Sequence, residues 1–136
     1  MATDSTQAVE KYVKELSRTA WDVRQRSHVV GPTRVGCAVL GTNGNIYAGC
    51  NVEHRFRSHD VHAEVNAIST MVAQGGVTLS AIFIAAERER FTPCGACMDW
   101  IMQFAENGDC TVLAQSSPGG QVTSYLASQL MPFYPR

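Results

Sequence analysis

Two short segments, His62-Ala63-Glu64 and Pro93-Cys94-Gly95-Ala96-Cys97, constrain the fold of this chain more than any other feature. Each stands at the first turn of a predicted helix. Ala63, Val65, Ala67, Ile68, Met71 and Val72 carry the first helix toward Gly75-Gly76, and Cys97, Ile101, Phe104 and Ala105 carry the second from Cys94 to Asn107, with Gly108 as its cap. Two cysteines three positions apart at a helix start can turn both sulfurs toward one point, and a histidine at another helix start can add a third donor. One His and two Cys leave a tetrahedral position open, which is the catalytic rather than the structural pattern for zinc. Helix N-termini favour thiolates through free N–H groups and the positive end of the dipole. Glu64 can then serve as a base toward a water in the open position instead of as a ligand. Zinc brings the pKa of such a water to about 7, and a carboxylate beside it can take a proton and return it to a substrate.

The residues alone leave plainer readings open. Cys94-x-x-Cys97 can be a redox pair. His62 and the two cysteines can hold a structural zinc with Cys37, Cys50 or Cys110 as the fourth ligand. Each of those three falls in a predicted strand, where a small buried apolar residue is the more ordinary role. Glu64 alone can be a helix-capping residue. No H-E-x-x-H stands in the chain, so a metalloprotease of that kind is unsupported, and no second Cys/His pair stands at finger spacing.

The rest of the chain reads as α-β-β-α-β-α-β-α. Residues 1–7 are polar and expected to be loose. Val9, Val13, Leu16, Ala20 and Val23 recur every three or four positions and predict a helix from Ala8 to about Arg26. Val35 to Leu40 and Ile46 to Asn51 flank Thr42-Asn43-Gly44-Asn45, a hairpin signal. Residues 52–61 keep neither helical nor strand period and read as a long loop. Leu79 to Ala86 is apolar on both faces and reads as a central strand, with residues 87–93 a charged loop after it. Cys110 to Ala114 is a further strand, and Thr123 to Leu130 reads as a short helix. Strands reached across helices imply a mixed sheet covered on both faces, with the third and fourth strands parallel: an α/β fold, a three-layer α-β-α sandwich.

Composition excludes several partners. At 136 residues and 45% hydrophobic, the chain suits one domain with a sizeable core. Eleven basic residues against twelve acidic ones give a formal charge of −1, and the basic residues Arg55 and Arg57 with His54 and His59 form only a small patch. A polynucleotide partner is therefore not expected, and the absence of a long apolar run argues against a membrane. Five cysteines, an odd count, without a recognisable secretory leader suit a reducing, cytoplasmic setting.

The pattern H-x-E…P-C-x-x-C is a known signature of the zinc deaminases, and the chain resembles the cytidine deaminase superfamily, its small free-nucleoside branch above all. The resemblance runs over roughly residues 8–133. It is carried by Val35-Gly36-Cys37-Ala38, the Asn-Gly hairpin, Asn51-Val52-Glu53, the two zinc segments and the Leu130-Met131-Pro132-Phe133 ending. It implies a single cytidine-deaminase-like domain over 1–136, Zn2+ on His62, Cys94 and Cys97, and Glu64 as the catalytic acid and base. The reaction implied is hydrolytic deamination of cytidine or deoxycytidine to uridine or deoxyuridine by a zinc-activated water. It further implies that Asn51 and Glu53 hold sugar hydroxyls, that backbone groups of Ala63, Thr92 and Cys94 contact the base and the reacting groups, and that the 87–93 loop walls the pocket. A sugar diol needs donors and acceptors at fixed spacing, which an amide and a carboxylate supply. The branch also implies a homo-oligomer, a tetramer rather than a dimer, for which Phe133 and Tyr134 would suit a contact.

The chain departs from the branch at several positions. His62 stands where small members usually place a third cysteine, and Val65 where they often place an arginine. A neutral imidazole in place of a thiolate removes the excess charge that an arginine would offset. Thr33 stands where many relatives carry a base-stacking phenylalanine, leaving Phe56 or Trp100 as expected substitutes. Met98 replaces an arginine, and the segment 54–60 is unusual. A modified cytosine nucleoside or a blasticidin-type nucleoside antibiotic is therefore an alternative substrate, and a non-catalytic structural zinc domain an alternative role.

Overall fold

The computed structural model describes residues 9–135, so the expectation of a loose segment at residues 1–7 lies outside the described residues. A five-stranded sheet runs β2-β1-β3-β4-β5, with β1 at Val35–Gly41, β2 at Ile46–Cys50, β3 at Leu79–Ala86, β4 at Thr111–Gln115 and β5 at Val122–Leu126. β3 and β4 are parallel and the other neighbours antiparallel, so the sheet is mixed. β3 is the central strand, and all but one of its residues are buried, as its unbroken apolar run requires.

The alternation of side chains along the strands sorts the core into two halves. Helix α1 (Val13–Arg24) places Leu16 and Ala20 on one face, against Ala38, Leu40, Ala81, Phe83 and Leu113. Helices α2 (Ala63–Ala73) and α3 (Gly95–Phe104) cover the other face. There Ala67, Ile68, Met71, Met98 and Ile101 pack on Cys37, Val39, Ile82, Ile84 and Val112. The expected three-layer sandwich is the observed one.

Glycine sets how close the helices come. A Cβ on Gly49 of β2 would lie 2.2 Å from the Ala67 backbone nitrogen of α2, so only the missing side chain admits that helix. The hairpin turns as Asn-Gly predicts: Gly44 takes φ +87, donates to the Gly41 carbonyl at 2.9 Å, and leaves Gly41 free to donate to the Asn45 carbonyl.

The C-terminal segment corrects the sequence reading. Residues 122–126 form an edge strand, and only α4 (Ala127–Leu130) is helical. Val122, Thr123 and Tyr125 are β-branched or aromatic, and pairing Val112 with Tyr125 and Ala114 with Thr123 satisfies the open edge of β4. Two helices are also shorter than expected. Val9 and Glu10 are helical, a turn interrupts at residues 11–12, and the regular helix then runs Val13–Arg24. α3 ends at Phe104, because Ala105 turns extended and bridges to Leu79, and a short 3-10 turn follows over Glu106–Gly108.

Candidate active site

The starts of α2 and α3 meet at one place. His62 and Cys94 are the residues immediately before the two helices, both in extended backbone, so their side chains leave the helix axes and converge. His62 Nδ1 lies 3.2 Å from Cys97 Sγ and 3.5 Å from Cys94 Sγ, and the two sulfurs are 3.5 Å apart. A tetrahedral zinc with Zn–S near 2.3 Å and Zn–N near 2.0 Å has ligand–ligand edges of roughly 3.5 to 3.8 Å. The three separations thus fit one face of such a tetrahedron. Among the described residues this is the only group of three or more His, Cys, Asp or Glu arranged to hold a metal, and Cys37, Cys50 and Cys110 do not join it.

The donor chemistry suits a cation at this place. Burial, then the neighbouring Glu64 carboxylate, then Cys94, push the Cys97 thiol far above its ordinary value. A thiolate is held there only if a positive charge compensates it, and the His/Cys/Cys set is one that Zn2+ prefers. His62, Cys94 and Cys97 fit Zn2+ on geometry and on donor chemistry.

Glu64 sits in the first turn of α2, 3% exposed. Burial pushes its carboxyl above the ordinary range, opposed by a backbone N–H, the His62 ring and the Cys97 thiol. Glu64, His62, Ala63, Thr92 and Cys94 all line a cavity of about 280 Å³, close to the lower bound of roughly 300 Å³ for small-molecule sites.

Asn51 and Glu53, just past the end of β2, line the same cavity, with the exposed Val52 between them turned away. Asn51 is buried. Its Oδ1 accepts from the Val35 N–H and its Nδ2 donates to the Thr33 carbonyl, both at 2.8 Å, leaving one lone pair and one N–H. Glu53 Oε1 accepts from the Val30 and Gly31 N–H groups at 2.8 Å each. Those two donors, and after them Arg57, hold its carboxyl below the usual range.

Phe56 does not line the cavity. It is 58% exposed and its ring stacks on His54, with Arg55 beside it. Trp100, at 40% exposure, stacks on Phe104 along the outer side of α3. The aromatic side chain in the cavity wall is Phe91, which sequence reasoning passed over. The available signal was its place in the 87–93 loop, three residues before Cys94. Arg57, Asp60 and Arg88 also line the cavity and had no motif to mark them.

A mixed sandwich whose two helix starts bring His62, Cys94 and Cys97 together, with His62, Cys94 and a buried carboxylate lining one small cavity, defines a class, the zinc-site hydrolytic deaminases. Comparison with known proteins narrows it. Residues 10–113 match the model of the cytidine and deoxycytidylate deaminase zinc-binding region, and the chain belongs to that family. It is 31% identical over 126 residues to a cytidine deaminase of Sporosarcina psychrophila, covering 91% of this chain and 88% of that protein. It is 35% identical over 75 residues to a probable cytidine deaminase of Dictyostelium discoideum, covering 54% of this chain and 51% of that protein. The crystal structure of cytidine deaminase from Burkholderia pseudomallei has the same fold, at TM-score 0.80 and 24% identity over 89% of this chain and 97% of that one.

Proposed function

We propose that this protein is a zinc-dependent hydrolase that deaminates free pyrimidine nucleosides, converting cytidine or deoxycytidine and water to uridine or deoxyuridine and ammonia. One observation carries the reading: His62 and Cys94 of the three-donor metal group line one cavity together with the buried Glu64 carboxylate, Asn51 and Glu53. Zinc, when bound by His62, Cys94 and Cys97, supplies an activated water at neutral pH.

The chain's own residues do the rest. Glu64 accepts a proton from water and delivers protons to ring N3 and to the departing amine. Its burial raises its affinity for that proton, which suits a group that must both take and give it. The Ala63 backbone N–H faces the ring carbonyl, and the Thr92 carbonyl and Cys94 N–H hold the amine and hydroxyl ends. Phe91 offers an apolar wall to the ring where Thr33 cannot. Asn51 and Glu53, each with hydrogen-bonding capacity left, take the sugar hydroxyls.

The test is a panel of nucleosides, free bases and modified cytosine nucleosides on zinc-loaded protein, read by ultraviolet absorbance and ammonia release, with Glu64→Gln alongside. Cytidine or deoxycytidine is the expected best substrate. Glu64→Gln is expected to keep its zinc and lose about two orders of magnitude or more in rate. Turnover confined to an antibiotic-type nucleoside would move the substrate and keep the chemistry. An inactive wild type that holds zinc would leave the structural role instead.

The working form proposed is a homo-oligomer, a tetramer over a dimer, supported by the 94% exposure of Phe133 and the exposure of Trp100 and Leu126. No helix among the described residues is long and apolar enough to cross a membrane. The need for reduced Cys94 and Cys97 supports the cytoplasm as the compartment.

A further inference from the structure

Arg57 takes part in no step above, yet it lines the cavity and its guanidinium bridges two carboxylates. One terminal nitrogen, Nη2, donates to Glu53 Oε2 at 2.9 Å, and Nε donates to Asp60 Oδ2 at 2.8 Å. The other oxygen of Asp60 accepts from the His54 N–H at 2.7 Å. The Val52 and Val61 backbones exchange two hydrogen bonds of 2.8 Å and close the loop at its base. The unit Glu53–Arg57–Asp60 thereby joins the 28–33 segment, through Val30 and Gly31, to the 52–61 loop.

The two carboxylates are well covered, with side chains 11% and 14% exposed, whereas Arg57 is 53% exposed. An ionised carboxylate has about four acceptor positions. Glu53 has three of them filled, by Val30, Gly31 and Arg57, so one is left. A guanidinium is a rigid planar fork and can hold two acceptors at set angles, which an ammonium cannot reproduce.

We propose that Arg57 is the positioning residue for sugar recognition: it fixes the Glu53 carboxylate in the cavity wall with a single acceptor position left for one sugar hydroxyl. This rests on the nucleoside reading above. Arg57 touches no reacting atom and acts on substrate affinity through Glu53. Removing it leaves two covered carboxylates on one loop with no cation between them, and Glu53, still held at Oε1 by Val30 and Gly31, loses the donor that fixes Oε2.

The experiment measures cytidine kinetics, uridine binding by calorimetry and zinc content for wild type, Arg57→Gln, Arg57→Lys, Glu53→Gln and the Glu53→Gln/Arg57→Gln double variant. Arg57→Gln is expected to raise KM and the uridine Kd about tenfold, the scale of one charge-assisted hydrogen bond, with kcat within about twofold and zinc retained. Arg57→Lys is expected to fall between the two. The double variant is expected to be no weaker than Glu53→Gln alone, because the arginine acts through that carboxylate. An unchanged KM, a loss confined to kcat, or additive losses in the double variant would overturn the role. Should Arg57→Gln not fold, Arg57→Lys decides: a raised KM at constant kcat supports the role and no change overturns it. A wild type that deaminates no pyrimidine nucleoside sinks the nucleoside reading and this inference together. An active wild type with an indifferent Arg57 sinks the inference alone.

Discussion

Glu64 and Glu53 share one cavity, and their surroundings drive them in opposite directions. Burial raises the proton affinity of Glu64, whereas two backbone N–H groups and then Arg57 lower that of Glu53. Opposed shifts of this kind separate a group that moves protons from a group that stays charged to bind. The Glu53 shift also has a consequence for stability. The folded carboxylate binds its proton less tightly than the unfolded one, so its contribution is fully present above the unfolded value of about 4.3 and fades as pH falls through the lower folded value. In thermal melts, the advantage of wild type over Glu53→Gln is expected to be flat above about pH 5 and to shrink below about pH 4. An advantage that grows on acidification would reverse the assignment. Of the residues at the site, those with a spacing rule were legible in the sequence: His62, Glu64, Cys94 and Cys97 sit at fixed offsets from two helix starts. Arg57 and Phe91 obey no such rule, because what brings them to the cavity is the path of a loop.

At the scale of elements, the site depends on how closely α2 seats on β2. The Cys50 N–H donates to Asn66 Oδ1 at 2.9 Å and ties the end of the strand to the helix. Gly49 lets the Ala67 backbone lie where a Cβ would be. Gly49→Ala must displace backbone, not a flexible side-chain tip, and is expected to cost about 1–3 kcal/mol or more in urea unfolding, as overpacked cores do. Because the displaced helix carries His62 and Glu64, zinc affinity is expected to fall with it. A variant with unchanged stability would show that the helix can shift freely. Helical periodicity placed α1 and α2, the Asn-Gly hairpin signal placed β1 and β2, and an unbroken apolar run placed β3, whereas β5 was missed. The segment 122–126 is half exposed and has no apolar stripe of its own, and it becomes a strand because the edge of β4 lies open beside it.

For the whole molecule, the parallel pairing of β3 and β4 sends α3 back along the sheet beside α2, which sets the cysteines of one helix start against the histidine of the other. Phe133, Trp100 and Leu126 are exposed, and the proposed tetramer is tested through Phe133. Light scattering is expected to give about four chain masses, and Phe133→Ser to lower that number; a monomer at working concentration would discard the tetramer. The amino-acid sequence by itself determined the donor set, the carboxylate beside it, the two apolar faces of the sheet and the Asn-Gly turn, since each follows from neighbours a few positions apart. Only the tertiary structure decided the fifth strand, the aromatic wall at Phe91 and the bridge from Arg57 to Glu53 and on to Val30 and Gly31. Those depend on where separate stretches of backbone come to lie against one another, and no local period records that.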